Sequence, residues 1–159
     1  MKFGVDTYSW SKLILLRQTK WKYIIEEILG FQSLFITLPV LEELKHFFHQ
    51  HEEEWSRVQI LETKQTSVTF YNPETFDEAD ISLLRYAEEE DFTIITEDRP
   101  MLLLNIHTRN NIISLADFFA LLYKIEYLTR KEFYQLLKWF EAKKNITKQK
   151  TKKLKELLK

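Results

Sequence analysis

The sequence has no cysteine, which excludes disulfides and thiolate metal sites. No apolar run approaches the roughly 18 residues that a membrane-spanning helix needs. The opening residues, Met1-Lys2-Phe3-Gly4-Val5-Asp6, lack the hydrophobic stretch of a secretory signal. No integral membrane segment is therefore expected, and the cytoplasm is the expected location. There is no internal repeat, and the only biased segment is the lysine-rich stretch at residues 143–159. What is present suits a globular core. The chain has 159 residues, 45% of them hydrophobic, and 12 are Phe. That length is most simply one domain with an appendage.

The net charge of −1 conceals an asymmetry. Residues 143–159 carry eight Lys against one Glu, a net charge of +7, so the rest of the chain carries −8. An acidic body with a basic tail is a charge pattern that needs an explanation.

Hydrophobic periodicity predicts alternating strands and helices. Strands are expected at residues 2–5, 34–36, 67–70, 92–96 and 111–113. One helix is expected over residues 10–29, stopped near Gly30. Another starts at Pro39 and runs to residue 51, with Val40, Leu44, Phe47 and Phe48 as its apolar face. A further helix or its continuation is expected over residues 52–62. Thr75 with Glu78 reads as a capping box that opens a helix to about residue 90. A short helix is expected over residues 99–106. Ser114 with Asp117, and Thr129 with Glu132, read as boxes that open the last two helices. Alternation of this kind means a parallel sheet covered by helices, with right-handed crossovers.

Most of the 24 acidic residues are expected to be solvated surface. Four are not so easily explained. Asp6 and Asp98 each end a β-branched or aromatic strand, where open α/β sheets bind ligands. Asp80 shares a helix face with Leu83, Leu84 and Ala87, and Glu43 lies between Val40 and Phe47. A carboxylate on a core-facing side is costly unless it is paired or binds a metal. Asp77, by contrast, suits a first helical turn, and Asp117 is explained as a cap. Unit charges about 4 Å apart repel by roughly 4 kcal/mol at an effective dielectric of about 20. A cluster of all-oxygen ligands suits Mg²⁺ or Mn²⁺, and such ions are a common device for phosphodiester cleavage.

These residues resemble the motifs of the PIN-domain ribonucleases, the family that includes VapC-type toxins. Val5-Asp6-Thr7-Tyr8-Ser9-Trp10 resembles the opening motif. Val40-Leu41-Glu42-Glu43-Leu44-Lys45 resembles the second, with Glu43 in the acidic place. Asp77-Glu78-Ala79-Asp80-Ile81-Ser82-Leu83-Leu84 resembles the third, with Asp80 matching. Ile94-Ile95-Thr96-Glu97-Asp98 resembles the fourth, with Asp98 matching. The resemblance covers residues 1–125. It implies a three-layer α/β/α fold with a central parallel sheet. It also implies one or two Mg or Mn ions held by Asp6, Glu43, Asp80 and Asp98, with Thr96 and Ser9 in support, and endonucleolytic cleavage of RNA. Arg99-Pro100 after the fourth acid, and everything from Thr129 onward, depart from the family pattern.

The expected organisation is a nuclease domain at 1–125, a C-terminal helix at 126–142 and the tail at 143–159. For the tail, a disordered solubilising segment, an RNA-phosphate binder (Lys152, Lys153 and Lys155) and a docking helix are all open. The spacing of Leu154, Leu157 and Leu158 favours a helix. Spare apolar residues at Phe118, Phe119, Leu121, Leu122 and along 133–140 suggest a homodimer. An antitoxin protein is the other partner the resemblance implies. Two other functions compete: a non-catalytic PIN-like module that binds RNA or protein, and a receiver-type phosphoacceptor. The receiver pattern wants paired acids after the first strand and a Lys after the last, and neither is here. His46, His49 and His51 lack the i, i+4 spacing of a helical zinc pair and read as surface. The four Trp read as packing residues.

Overall fold

The computed structural model describes residues 1–62, 64, 69–88, 91–107 and 111–159. Contacts divide the chain into two compact units, Met1–Ile113 and Ser114–Lys159. Among its described residues the first unit holds five strands: β1 (Lys2–Val5), β2 (Leu34–Thr37), β3 (Gln59–Leu61), β4 (Phe92–Ile95) and β5 (Asn111–Ile113). They form one sheet in the order β3-β2-β1-β4-β5. Every pairing is parallel, so the fold is α/β, as the alternating pattern predicts.

The α-helices of this unit among the described residues are α1 (Thr7–Arg17), α2 (Lys22–Leu29), α3 (Leu38–Phe48), α4 (Glu52–Trp55), α5 (Glu78–Ala87) and α6 (Arg99–His107). The core lies along the central strands. All four residues of β4 are buried, and Val5 and Ile36 are wholly inaccessible. Continuous burial is what a strand covered on both faces requires.

The strand order creates a switch point. The chain runs from β1 to β2 and β3 on one side, then returns to lay β4 against the other side of β1. The carboxyl ends of β1 and β4 therefore flank the place where the order reverses. Open α/β sheets bind ligands in that crevice.

Several expected elements differ. The helix expected over residues 10–29 is two helices. The break follows from Thr19, whose hydroxyl donates to the Leu16 carbonyl (2.6 Å) and accepts from the Trp21 amide (3.2 Å). A threonine that bonds locally to backbone competes with helix continuation. The region 52–62 is mostly not helical: after α4 the chain forms the edge strand β3. The strand expected over 67–70 falls partly outside the described residues. Thr69 and Phe70 are described and are not in a strand. Phe47, expected on the apolar face of α3, is 62% exposed. The cap of α5 is Asp77, not Thr75, with the Asp77 carboxylate accepting from the Asp80 amide at 2.9 Å.

The second unit is helical: α7 (Leu115–Lys124), α8 (Arg130–Ala142), α9 (Lys148–Lys155) and a 3₁₀ turn at Glu156–Leu158. Both expected capping boxes are present, Ser114 with Asp117 and Thr129 with Glu132. Tyr123 stacks on Phe133 with centroids 4.9 Å apart, and Phe119 meets Phe140 at 5.6 Å. Lys150 donates to Ser114 Oγ at 2.6 Å and to Asp117 Oδ2 at 2.7 Å, tying α9 to the cap of α7. The lysine-rich tail is thus folded, with Thr151, Leu154 and Leu158 buried. Phe118, Phe119, Leu122, Phe133, Leu136, Leu137 and Phe140 are also buried within the chain. Of the apolar residues named for a homodimer in α7, Leu121 is the one that stays half-buried.

Gly4 is the tightest point of β1. A Cβ there would sit 2.5 Å from Phe92 Cζ and 2.9 Å from Leu83 Cδ2. Phe92 is fully buried, so its ring can yield only by moving its packed neighbours. Gly4→Ala should therefore cost about 1–3 kcal/mol, the usual penalty of overpacking, measured by urea unfolding. An unchanged midpoint would mean that the Phe92 ring yields freely.

Candidate functional site

The acids predicted at the two strand ends meet at the switch point. Asp6 directly follows β1 and is only 4% exposed. It caps α1: Oδ1 accepts from the Ser9 amide at 2.7 Å. Its other oxygen, Oδ2, accepts from the Thr96 hydroxyl. Thr96 follows β4, is wholly buried, and its Oγ1 also accepts from the Asp98 amide at 2.9 Å. Asp98 in turn caps α6, with Oδ2 accepting from the Met101 amide at 3.0 Å. One threonine hydroxyl thereby connects the two strand-end aspartates.

Glu43 and Asp80 come from α3 and α5, which pack together. Both are half-buried. Glu43 Oε2 accepts from the Thr7 hydroxyl, so the residue after Asp6 holds the glutamate toward the same end of the sheet. Beneath them, Thr37 and Ser82 are buried and joined by a 2.7 Å hydrogen bond. Ser82 also donates to the Ala79 carbonyl at 2.6 Å, so Thr37 is the donor to Ser82.

Electrostatics ties the group together. Burial pushes the Asp6 carboxyl up, partly offset by hydrogen bonds from Ser9 and Thr96, and the charge of Asp98 adds to the rise. Burial also raises Glu43; Thr7 offsets this, and Asp77 and Asp6 add to it. Asp80 is pushed from 3.8 to about 7 by burial first, then by the charges of Asp77, Asp98 and Asp6. Asp6 thus feels or exerts repulsion with Glu43, Asp80 and Asp98 alike. Asp77, exposed at the cap of α5, is a fifth member that reading it as a first-turn acid missed. Its signal was the Asp-x-x-Asp spacing, which puts one carboxylate on the cap and the other in the first turn. Thr7 was missed as well; only its place next to Asp6 pointed to it.

None of the five acids forms a salt bridge with a described residue. Helix N-termini take part of that role, since Asp6, Asp77 and Asp98 sit where the macrodipoles of α1, α5 and α6 favour negative charge. The donor set is all oxygen, which fits a hard divalent cation. The Ser9 hydroxyl adds one more oxygen. It is fully buried and has no hydrogen-bond partner, although it lies near enough to Asp6 to lower that carboxyl. Among the described residues, no three acidic or histidine side chains converge as they stand on a single ion position. The fit therefore lies in donor chemistry and unbalanced charge.

The other expected site residues lie in the second unit. Lys152 and Lys153 are exposed, and Lys155 is half-buried, with its ammonium 5.3 Å from the Tyr134 ring centroid. His51 pairs with Glu54 at 3.4 Å. No protein-family model matches the chain, and no curated protein matches it.

The raised acids set a sign for stability against pH. The native state keeps the Asp80 proton over a range in which the unfolded chain has lost it. Stability from this group is therefore fully present below about pH 4 and is lost as pH rises toward 7. Asp6 and Glu43 act in the same direction. Glu26, lowered first by its Arg17 hydrogen bond, acts oppositely but only in the acid range. So does Asp117, which Lys150 and Ser114 hold down against its burial. In metal-free buffer the urea midpoint should fall between about pH 5 and pH 8, and Asp80→Asn should flatten that fall. An identical pH profile for Asp80→Asn and wild type would remove Asp80 from the group.

Proposed function

We propose that the chain is a divalent-metal-dependent endoribonuclease of the PIN type. The observation that carries this reading is the gathering of Asp6, Glu43, Asp80 and Asp98 at the switch point, with Asp6 in repulsion with each of the other three and none of the four in a salt bridge with a described residue. Four acids in the PIN order, on a parallel sheet of the right class, support it.

In this reading Asp6, Glu43, Asp80 and Asp98 hold Mg²⁺ or Mn²⁺ directly or through water. The bound ion supplies an activated water and charge stabilisation for the leaving oxygen of a phosphodiester. The chain's own residues do the positioning. Thr96 fixes the Asp6 carboxylate and the Asp98 backbone together, and Thr7 fixes Glu43. A cation competes with the Asp80 proton, so cation binding should strengthen as pH rises toward 7 and level off above it. Lys152, Lys153 and Lys155 supply positive charge for RNA phosphates. A toxin role with an antitoxin partner would follow from the same family resemblance.

The test is cleavage of labelled RNA with Mn²⁺ or Mg²⁺ against a chelator control. Asparagine caps helices about as well as aspartate, so Asp6→Asn should stay folded. It should lose more activity than the roughly 10–100-fold typical of losing a residue that only supports a ligand. Thr7→Val should fall within that smaller range. A folded wild type that cleaves no RNA with either ion, or an Asp6→Asn variant as active as wild type, would overturn the proposal. Unchanged RNA binding by wild type without any cleavage would instead favour a non-catalytic binding module.

A further inference from the structure

The largest charge contrast in the chain follows its division into units. Residues 1–113 carry a net charge of −8 and residues 114–159 carry +7. Within the second unit the positive charge is not spread evenly. A hollow of about 550 Å³ is lined by Arg130, Lys131, Tyr134, Lys155, Leu158 and Lys159. That volume lies within the about 300–1,000 Å³ typical of small-molecule sites. None of the acids at the switch point lines it.

Its wall is built from two helical faces. Tyr134 lies three and four residues after Lys131 and Arg130 in the first turns of α8, and Leu158 and Lys159 lie three and four residues after Lys155, the last residue of α9, across the 3₁₀ turn that follows it. Four cations therefore surround an apolar floor made by Leu158, the Tyr134 ring and the aliphatic stems of the lysines. Among the described residues, no acidic side chain lines it. Glu132, the nearest acid in α8, is turned back to the Thr129 amide and hydroxyl at 2.8 and 2.7 Å. A neighbouring hollow makes the contrast. It holds Lys148, Lys152, Lys155 and Lys159, but also Glu141 and Glu156, so two of its four positive charges are met from within.

The Tyr134 ring, 37% exposed, already attracts two ammonium groups. Lys138 lies 4.6 Å and Lys155 5.3 Å from its centroid. At an exposed site such contacts are weak, and a phosphate oxygen is a stronger partner for a lysine. An aromatic face ringed by cations, with apolar packing below, matches a nucleotide whose base stacks while its phosphates are neutralised.

We propose that this hollow binds a nucleotide of single-stranded RNA, with the base on Tyr134 and the phosphates on Arg130, Lys131, Lys155 and Lys159. The proposal rests on the reading of the chain as an RNA enzyme and adds a binding site to it, separate from the acidic group. It also ranks the lysines of the tail. Lys155 lines both this hollow and the one that holds Glu141 and Glu156, Lys152 lines only the latter, and Lys153 lines another, beside Asp117.

Binding of a labelled single-stranded RNA oligomer to full-length Asp6→Asn protein, in chelator, separates binding from cleavage. Tyr134→Ala should weaken binding about tenfold, the scale of one lost base stack, and Tyr134→Phe should restore it. Arg130→Ala with Lys131→Ala should reduce the slope of log K against log salt by about 1.4, the value for two single-strand phosphate contacts. Lys2→Ala with Lys22→Ala, an equal loss of charge at exposed positions of the first unit, should leave the slope unchanged. RNA affinity indifferent to Tyr134→Ala, or equal slopes for the two double variants, would overturn the proposal. A light-scattering mass that drops from dimer to monomer on Tyr134→Ala, with RNA affinity unchanged, would assign the hollow to a second copy of the chain instead. Tyr134-dependent binding in a chain that never cleaves RNA would remove the nuclease reading and leave this site standing.

Discussion

The hydrogen bond from the Thr96 hydroxyl to Asp6 crosses the seam on which the sheet is built. β1 and β4 are neighbours in space although some ninety residues apart in sequence, as the 2–92 to 5–95 register records. At the end of that register the two strands deliver a buried aspartate and a buried threonine side by side. The same threonine accepts the Asp98 amide, which sets the start of α6. Strand pairing, helix capping and the placement of two carboxylates are thus one local arrangement. A shift of one residue in β4 would carry Thr96 to the other face of the sheet and leave Asp6 buried without that donor.

The acids are held in a balance of opposing effects. Burial and mutual repulsion push Asp6, Glu43 and Asp80 up. Threonine hydroxyls, backbone amides and three helix N-termini pull toward the charged forms. The second effect does not win at Asp80, whose carboxyl stays near 7. Elsewhere several acids meet cations: Glu26 with Arg17 and Arg57, Glu54 with Arg17, Asp117 with Lys150. The contrast between those acids and the group at the switch point is why an external cation is the natural complement of the latter. Strongly perturbed groups gathered in a crevice are what functional sites commonly look like.

Much of this was legible in the sequence, for identifiable reasons. Residues 92–95 are β-branched or aromatic and all buried, so that strand announced itself, and the abrupt acid after it marked the strand end. Ser114–Asp117 and Thr129–Glu132 are local signals whose geometry needs no tertiary information, and both formed. The break in the first helix was not legible, because it turns on which way the Thr19 hydroxyl bonds. β3 was not legible either: Gln59 and Ile60 are exposed at the sheet edge, so no burial pattern distinguishes them from a loop. Thr75 and Asp77 are both good caps, and only tertiary packing chose Asp77. That choice also brought a fifth carboxylate to the group. The hollow beside Tyr134 joins residues 130–134 to 155–159, a pairing of two helices that periodicity alone does not specify.

The most direct test of the central claim is the titration of the Asp80 carboxyl carbon by NMR in metal-free protein. Convergence of the acids predicts a midpoint near 7 that moves downward in Asp77→Asn and again in Asp98→Asn, as each repelling charge is removed. An Asp80 midpoint in the ordinary aspartate range, about 3.9, or one that ignores both substitutions, would contradict it.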